Sequence, residues 1–258
     1  MHLYLFRLRI RNALKASGIH AALSAFVASC AAILVLGIWY PWPYSELSGG
    51  QELFLLVVAV DVVCGPVLTA VLYNPQKPRV ELIRDLTLVG VVQLIALVYG
   101  IWTVWQVRPL YLVHEVDRFK VISAQAVPAA ELLALPETLQ IGFFSGPLIV
   151  GLRAPKDVNE KNTVMFESVG GGRDYGERPD FYTPYSIATG SAAFGRGLDL
   201  TKFLNKYPEQ TKNAMAIADK HNLTISGLRC VPVIGRQEWV AVLNKSGAIV
   251  GFLKGDGF

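Results

Sequence analysis

Three long apolar runs near the N-terminus restrict what this chain can fold into. They cover residues 19–40, 53–73 and 86–107, and Asp61 is the one Asp, Glu, Lys or Arg that they contain. A helix rises 1.5 Å per residue, so about 20 apolar residues cross the roughly 30 Å hydrocarbon core of a bilayer. The rest of the 258-residue chain is too short to surround three such helices in a soluble core. The sequence therefore predicts an integral membrane protein with three spans.

The charges in the short connecting segments predict the orientation of these spans. Residues 1–18 contain four Lys or Arg, residues 41–52 contain none, and residues 74–85 contain three. Cytoplasmic loops carry an excess of Lys and Arg, so this alternation predicts a cytoplasmic N-terminus. Three spans then place residues 108–258 on the periplasmic side of a bacterial inner membrane.

The same charge distribution explains the net positive charge of the whole chain. The net charge is +4, and residues 1–18 alone carry that charge because they hold four bases and no acid. The pI of about 8.9 therefore reflects membrane orientation, and we expect the lipid bilayer and no nucleic acid as a partner.

The first run is predicted to remain as a span after export. Its C-terminal end lacks the small residues of a signal-peptide cleavage site. Residues 27–30 read Val-Ala-Ser-Cys and resemble a lipoprotein processing box, so lipidation of Cys30 is the alternative, although ten more uncharged residues follow. Aromatic residues of the kind that anchor helices at membrane interfaces follow the run: Trp39, Tyr40, Trp42 and Tyr44.

Residues 108–258 have the composition of a soluble domain, with 17 Lys or Arg and 15 Asp or Glu. Cys230 is the one cysteine in this region, so the sequence predicts no disulfide within the domain. Strand and helix patterns do not alternate regularly, which favours an α+β domain that ends in an antiparallel β-meander. The predicted strands are 111–123 (one strand or a tight pair), 143–152, 228–234, 238–244 and 248–253, and the predicted helices are 128–135, 159–168, 199–207 and 208–221.

Several stretches of the chain resemble the type IV pilin accessory proteins of the TfpX/TfpZ kind. The most specific stretch is residues 108–119, which read Arg-Pro-Leu-Tyr-Leu-Val-His-Glu-Val-Asp-Arg-Phe directly after the third span. The others are residues 61–77, residues 84–86, residues 177–185 (Glu-Arg-Pro-Asp-Phe-Tyr-Thr-Pro-Tyr) and residues 231–236. The resemblance implies an inner-membrane protein that binds the major pilin, and acts with the pilus assembly machinery, in a chaperone-like or regulatory role.

The second span contains the first candidate interaction residues, Asp61 and Pro66. A carboxylate inside a membrane is costly, so Asp61 is expected either to contact a partner helix or to pair within its own bundle, for instance with Gln93 or Thr103. Pro66 is expected to kink the helix and to leave a main-chain carbonyl free for a nearby side chain.

The exported domain contains the other candidate interaction residues. Glu115, Asp117 and Arg118 form either a docking surface just outside the bilayer or ordinary surface ion pairs. Tyr182 and Tyr185 either present a binding loop or anchor a long loop onto the core.

Patterns typical of enzymes are weak in this sequence. His114 and His221 are the two exported histidines, and no Gly-x-Ser-x-Gly motif or zinc-ligand spacing accompanies them. We therefore expect no catalytic, cofactor-binding or metal site. The alternatives are a membrane-anchored envelope enzyme such as a transferase, or a scaffold or signalling subunit of another envelope machine.

Overall fold

The computed structural model describes residues 2–258, with the side chains at position 7 and at positions 9–258. These residues divide into two compact units. The first comprises the chain up to Ile38 together with Gly50–Gln106, and the second comprises Trp39–Gly49 together with Val107–Phe258.

The first unit consists of long apolar helices. Three of them are long and apolar enough to cross a membrane, which confirms the predicted three-span architecture: Arg9–Trp39, Gly50–Leu72 and Arg79–Gln106. The helical segments of this part of the chain are α1 (His2–Leu34), a π-helical turn (Val35–Trp39), α2 (Tyr44–Leu47, part of the second unit), α3 (Gly50–Ala59), a second π-helical turn (Val60–Cys64), α4 (Gly65–Leu72) and α5 (Arg79–Gln106).

The second unit is built on a mixed eight-stranded sheet. Its strands are β1 (Pro109–Glu115), β2 (Arg118–Ser123), β3 (Leu148–Leu152), β4 (Tyr182–Pro184), β5 (Leu198–Asp199), β6 (Arg229–Ile234), β7 (Trp239–Leu243) and β8 (Ile249–Lys254). The strand order is β4-β3-β1-β2-β6-β7-β8, and β5 pairs with β6 outside this path. β1 and β2 form an antiparallel hairpin, as do β6 and β7 and β7 and β8. The α+β class, the tight strand pair and the closing antiparallel meander are therefore confirmed.

Short helices connect and cover these strands. The α-helices are α6 (Ala129–Leu133), α7 (Val158–Val169), α8 (Ile187–Arg196), α9 (Leu200–Lys206) and α10 (Thr211–Lys220). Single 3₁₀ turns lie at Ala124–Ala126, Glu137–Leu139, Tyr175–Glu177, Pro179–Phe181, Pro208–Gln210 and Ile225–Gly227.

The central strands are buried on both faces. Successive residues of a strand point to opposite faces, and in β7 Val240 and Val242 pack with α9 and α10, whereas Trp239 and Leu243 belong to a cluster with residues of α2 and α8. A third cluster covers the β1 end of the sheet with residues from 124–141. Continuous burial of β7 explains why its sequence is apolar throughout.

Residues 39–49 pack into the second unit as part of its core. Leu47 is fully buried and Tyr44 is 7% exposed, and both belong to the cluster that contains Trp239. The main-chain N–H of Arg236 donates to the Leu47 carbonyl at 2.6 Å, and Glu46 pairs with Lys254. The sequence assigns residues 39 and 40 to the end of the first span and residues 41–52 to a loop between spans. In the structure, Tyr44 and Leu47 of this segment complete the hydrophobic core of the second unit.

Two sequence expectations differ from the observed elements. The predicted strand over 143–152 is limited to β3, because the Gly146-Pro147 pair interrupts it. Helix α8 was not predicted, since its two glycines lower helix propensity. Gly190 nevertheless fits at this position because it has no side chain. A Cβ there would lie only 2.9 Å from the Ser246 carbonyl oxygen.

Candidate functional site

An open cleft of about 820 Å³ lies beside the β1–β2 turn of the second unit. The turn contributes His114, Glu115, Val116, Asp117 and Arg118. The opposite walls come from the end of β3 and the residues after it (152–155), from Asp174 and Tyr175, and from Thr189, Ala192 and Arg196 of α8. The structure thus brings three sequence-predicted site residues, Glu115, Asp117 and Arg118, to one cleft.

Glu115 is held in the cleft wall by a main-chain hydrogen bond. The N–H of Gly176 donates to its Oε1 at 2.9 Å, and a Cβ on residue 176 would lie 2.2 Å from that oxygen. Only glycine therefore lets the carboxylate approach so closely. Burial raises the pKa of Glu115, and the nearby Lys120 partly opposes this shift.

Most of the other charged groups in the cleft are already paired. Arg118 donates to the Asp117 carboxylate at 2.8 Å, and Arg153 pairs with Glu160 at 2.9 Å. Arg196 donates through one Nη to the Val116 carbonyl at 2.7 Å, which fixes the β1–β2 turn against α8. An exposed ion pair contributes little stability, so the Asp117–Arg118 pair leaves both groups available to a ligand.

His114 lies at the base of the cleft and is buried. It is 6% exposed and packs against Phe119 and Tyr185, with ring centroids 5.2 Å and 6.3 Å away. Its Nε2 has no hydrogen-bond partner among the described residues. Burial lowers the pKa of His114 to about 4, so the imidazole is neutral at neutral pH.

Tyr182 and Tyr185 anchor the long loop onto the core. Tyr182 is 7% exposed and its hydroxyl donates to the Gly176 carbonyl at 2.6 Å. The Tyr185 hydroxyl donates to the Gly247 carbonyl at 2.8 Å. Both hydroxyls are used internally.

A second polar group lies within the membrane-spanning unit, around the π-helical turn at Val60–Cys64. Asp61 is 8% exposed and within electrostatic range of His20. Gln93 Nε2 donates to the Asp61 carbonyl oxygen at 2.9 Å. A π-helical turn joins each carbonyl to the N–H five residues later, and Pro66 has no N–H to offer Asp61. Gln93 satisfies the carbonyl that is left free.

The surroundings of Asp61 and Pro66 hold further internal hydrogen bonds. Ser17 Oγ donates to the Pro66 carbonyl at 2.8 Å, and His20 Nδ1 lies 2.6 Å from Thr69 Oγ1. Thr103, the other partner considered for Asp61, donates to the Tyr99 carbonyl instead. Buried polar groups in a membrane are rare and mark functional sites by default.

Comparison with known proteins shows similarity along almost the whole chain. A fimbrial assembly protein of serogroup I from Dichelobacter nodosus is 32% identical over 253 residues, which cover 97% of this chain and 98% of that protein. A fimbrial assembly protein of serogroup E1 from the same organism is 33% identical over 256 residues, covering 97% and 98%. The chain belongs to the fimbrial assembly protein family.

Two further comparisons refine this assignment. The family model described as fimbrial assembly protein FimB matches residues 8–49, which include most of α1 and the segment that packs into the second unit. A fimbrial assembly protein of serogroups C1 and C2 from Dichelobacter nodosus is 42% identical over 124 residues, covering 48% of this chain and 95% of that protein. No solved structure matches the chain.

In this fimbrial assembly protein, sequence reasoning missed several residues of the two candidate sites. His20 was overlooked because a single imidazole does not interrupt an apolar run. Thr189 and Arg196 were missed because α8 was not predicted. Leu47 and Tyr44 were assigned to a connecting loop, although apolar side chains in so short a loop are a signal that they are buried elsewhere.

Proposed function

We propose that this protein is an inner-membrane accessory protein of the type IV pilus. In this role it assists or modulates pilin stability, pilus assembly and surface piliation by binding pilin, without catalysing a reaction. The observation that carries the proposal is the full-length similarity to two proteins described as fimbrial assembly proteins.

The proposed topology has the N-terminus in the cytoplasm and the second unit in the periplasm. It is supported by the Lys and Arg counts of the loops under the positive-inside rule. It is also supported by the composition of the second unit, which contains both residues 39–49 and residues 107–258. Two spans separate these segments, so both leave the membrane on the same side, as the proposed topology requires.

The cleft beside the β1–β2 turn is the proposed contact site for pilin. Its size of about 820 Å³ falls within the range of protein ligand sites. Glu115 offers a desolvated carboxylate, and Arg196 offers the guanidinium nitrogens that do not contact Val116. Groups of opposite charge on facing walls fit an extended peptide segment that carries charged side chains.

The function is tested by deleting the gene and restoring it with the intact chain or with variants. We expect deletion to reduce surface pili and twitching motility, and we expect the tagged protein to copurify with the major pilin. Normal piliation in the deletion strain, together with no pilin in the eluate, would refute the proposal.

Two matched glutamate variants test the cleft. Glu115→Gln keeps an acceptor for the Gly176 N–H but removes the charge, and should lower the amount of copurified pilin several-fold. Glu137→Gln removes an exposed carboxylate of the same domain and should leave the amount of copurified pilin unchanged. Equal recovery of pilin with both variants would exclude Glu115 from the contact.

A further inference from the structure

A short loop between the Glu137–Leu139 turn and β3 exposes two phenylalanine rings. Phe144 is 75% exposed and Phe143 is 49% exposed, and their centroids lie 4.8 Å apart at 80°. Residues 140–147 contain no charged side chain. Two exposed apolar rings that meet edge to face are unfavourable in water, and an exposed apolar patch of this kind marks a site of interaction.

The loop is held by residues at the ends of two membrane-spanning helices. Trp39 is the last residue of the first spanning helix, and its indole N–H donates to the Phe143 carbonyl at 2.9 Å. The two rings also meet edge to face, with centroids 5.3 Å apart. Phe143 therefore contacts the point where the first span ends.

Arg108 gives the second attachment. It follows the third spanning helix, which ends at Gln106, and its guanidinium donates to the carbonyls of Gly142 at 3.3 Å and Phe143 at 3.4 Å. The side chain is 4% exposed. Burial lowers the pKa of Arg108 to about 10, so it remains charged at neutral pH and holds the loop carbonyls.

These attachments keep Phe144 near the residues at which two spans end. Consecutive Cα atoms are 3.8 Å apart, so Phe144 lies one residue from a contact with the end of a span. The headgroup layer on each side of the hydrocarbon core is roughly 5–8 Å thick. An exposed ring this near the end of a span is within reach of that layer, where aromatic side chains are enriched.

Three of the four aromatic residues predicted as anchors at the end of the first span are buried, and Trp42 is the exposed one, at 59%. Trp39 is 1% exposed and Tyr40 is fully buried, because both pack into the second unit. We propose that the loop bearing Phe143 and Phe144 inserts into the interfacial layer of the bilayer, with lipid as its partner. It adds an aromatic membrane contact at a place where the predicted anchors Trp39 and Tyr40 are buried.

The proposal is tested with spin labels on the full-length protein in vesicles of phosphatidylethanolamine and phosphatidylglycerol. Cys30 and Cys64 are exposed and are replaced by alanine, whereas Cys230 is kept because it is buried and its pKa is raised to about 12. A nitroxide is attached at Phe144→Cys or at Ser145→Cys. The Ser145 variant keeps both phenylalanine rings.

The matched control is a label at Ile187→Cys, which replaces a side chain that is 77% exposed at the start of α8. We expect labels at positions 144 and 145 to collide several-fold more with oxygen, relative to a water-soluble nickel chelate, than the label at position 187. Collision with the chelate at the level of the control would overturn the proposal. Protection from both oxygen and the chelate would also overturn the proposal, because such protection would mean that protein and not lipid covers the loop.

Discussion

Leu47→Ala should destabilise the second unit, although residue 47 lies in the short segment between two membrane spans. Its side chain is fully buried in the cluster that contains Tyr44, Trp239 and Leu243. Gly235 approaches so closely that a Cβ there would lie 2.9 Å from the Leu47 carbonyl oxygen. Such close packing leaves little room for the structure to collapse into the space that alanine would create.

The expected loss follows from this burial. A leucine-to-alanine change in a packed core costs about 2–5 kcal/mol, with the larger values where the cavity stays open. For a domain of this size each kcal/mol lowers the melting temperature by about 2–4 °C. A loss of about 3 kcal/mol therefore corresponds to a decrease of roughly 6–12 °C.

Thermal unfolding of the full chain in detergent, followed by tryptophan fluorescence, measures this change. The rings of Trp42 and Trp239 lie 6.0 Å apart, so their emission reports the packing of residues 39–49 on the sheet. The control is Leu133→Ala, at a side chain that is 76% exposed and should change stability by less than about 0.5 kcal/mol. Equal melting temperatures for the two variants would refute the assignment of Leu47 to the core.

Three further predictions concern a buried histidine, a helix glycine and the intramembrane acid. The pKa of His114 is lowered from 6.5 to about 4 by burial and by Arg196, with Asp117 opposing, so His114 should lower stability by up to roughly 3 kcal/mol as the pH drops from 6.5 towards 4. Melts at pH 7 and pH 4.5 should show a smaller loss of stability for His114→Phe than for the unchanged chain, and equal losses would contradict this contribution. Gly190→Ala should cost about 1–3 kcal/mol, because its Cβ would press on Ser246, whereas Gly195→Ala, with open space around it, should stabilise the same helix by up to about 1 kcal/mol. The melting temperature should therefore fall for Gly190→Ala and rise for Gly195→Ala, and a change in the same direction for both would contradict this reasoning. Asp61→Asn should reduce piliation at normal expression if the carboxylate contacts a partner helix, and unchanged pilus counts would remove Asp61 from the mechanism.

The local sequence pattern is sufficient to predict those elements whose interacting residues lie close together in the chain. The three spans follow from apolar length, and the β7–β8 hairpin follows from two apolar strands joined at Gly247, which adopts a φ of 78°. Helix α9 begins where expected because the Asp199 carboxylate accepts a hydrogen bond from the Thr201 N–H at 2.8 Å. Each of these signals is complete within a few residues.

The features that could not be predicted depend on distant segments. A periodic pattern identifies an apolar face, but it does not identify the surface that covers that face. Nothing in the sequence around Leu47 indicates that it packs in the same cluster as Trp239. Likewise, nothing around Glu115 indicates that the Gly176 N–H donates to its carboxylate. The candidate cleft has walls from four separated parts of the chain, so only its β1–β2 turn was visible as a charged cluster.

The insertion of residues 39–49 into the second unit has a consequence for how the protein is made. These residues emerge from the ribosome before two spans and before the sheet that they complete. The core of the second unit can therefore close only when α3 to α5 return the chain to the side of the membrane that holds residues 39–49. A misinserted span would leave Leu47 and the sheet on opposite sides of the bilayer, so folding of the second unit depends on the correct insertion of both later spans.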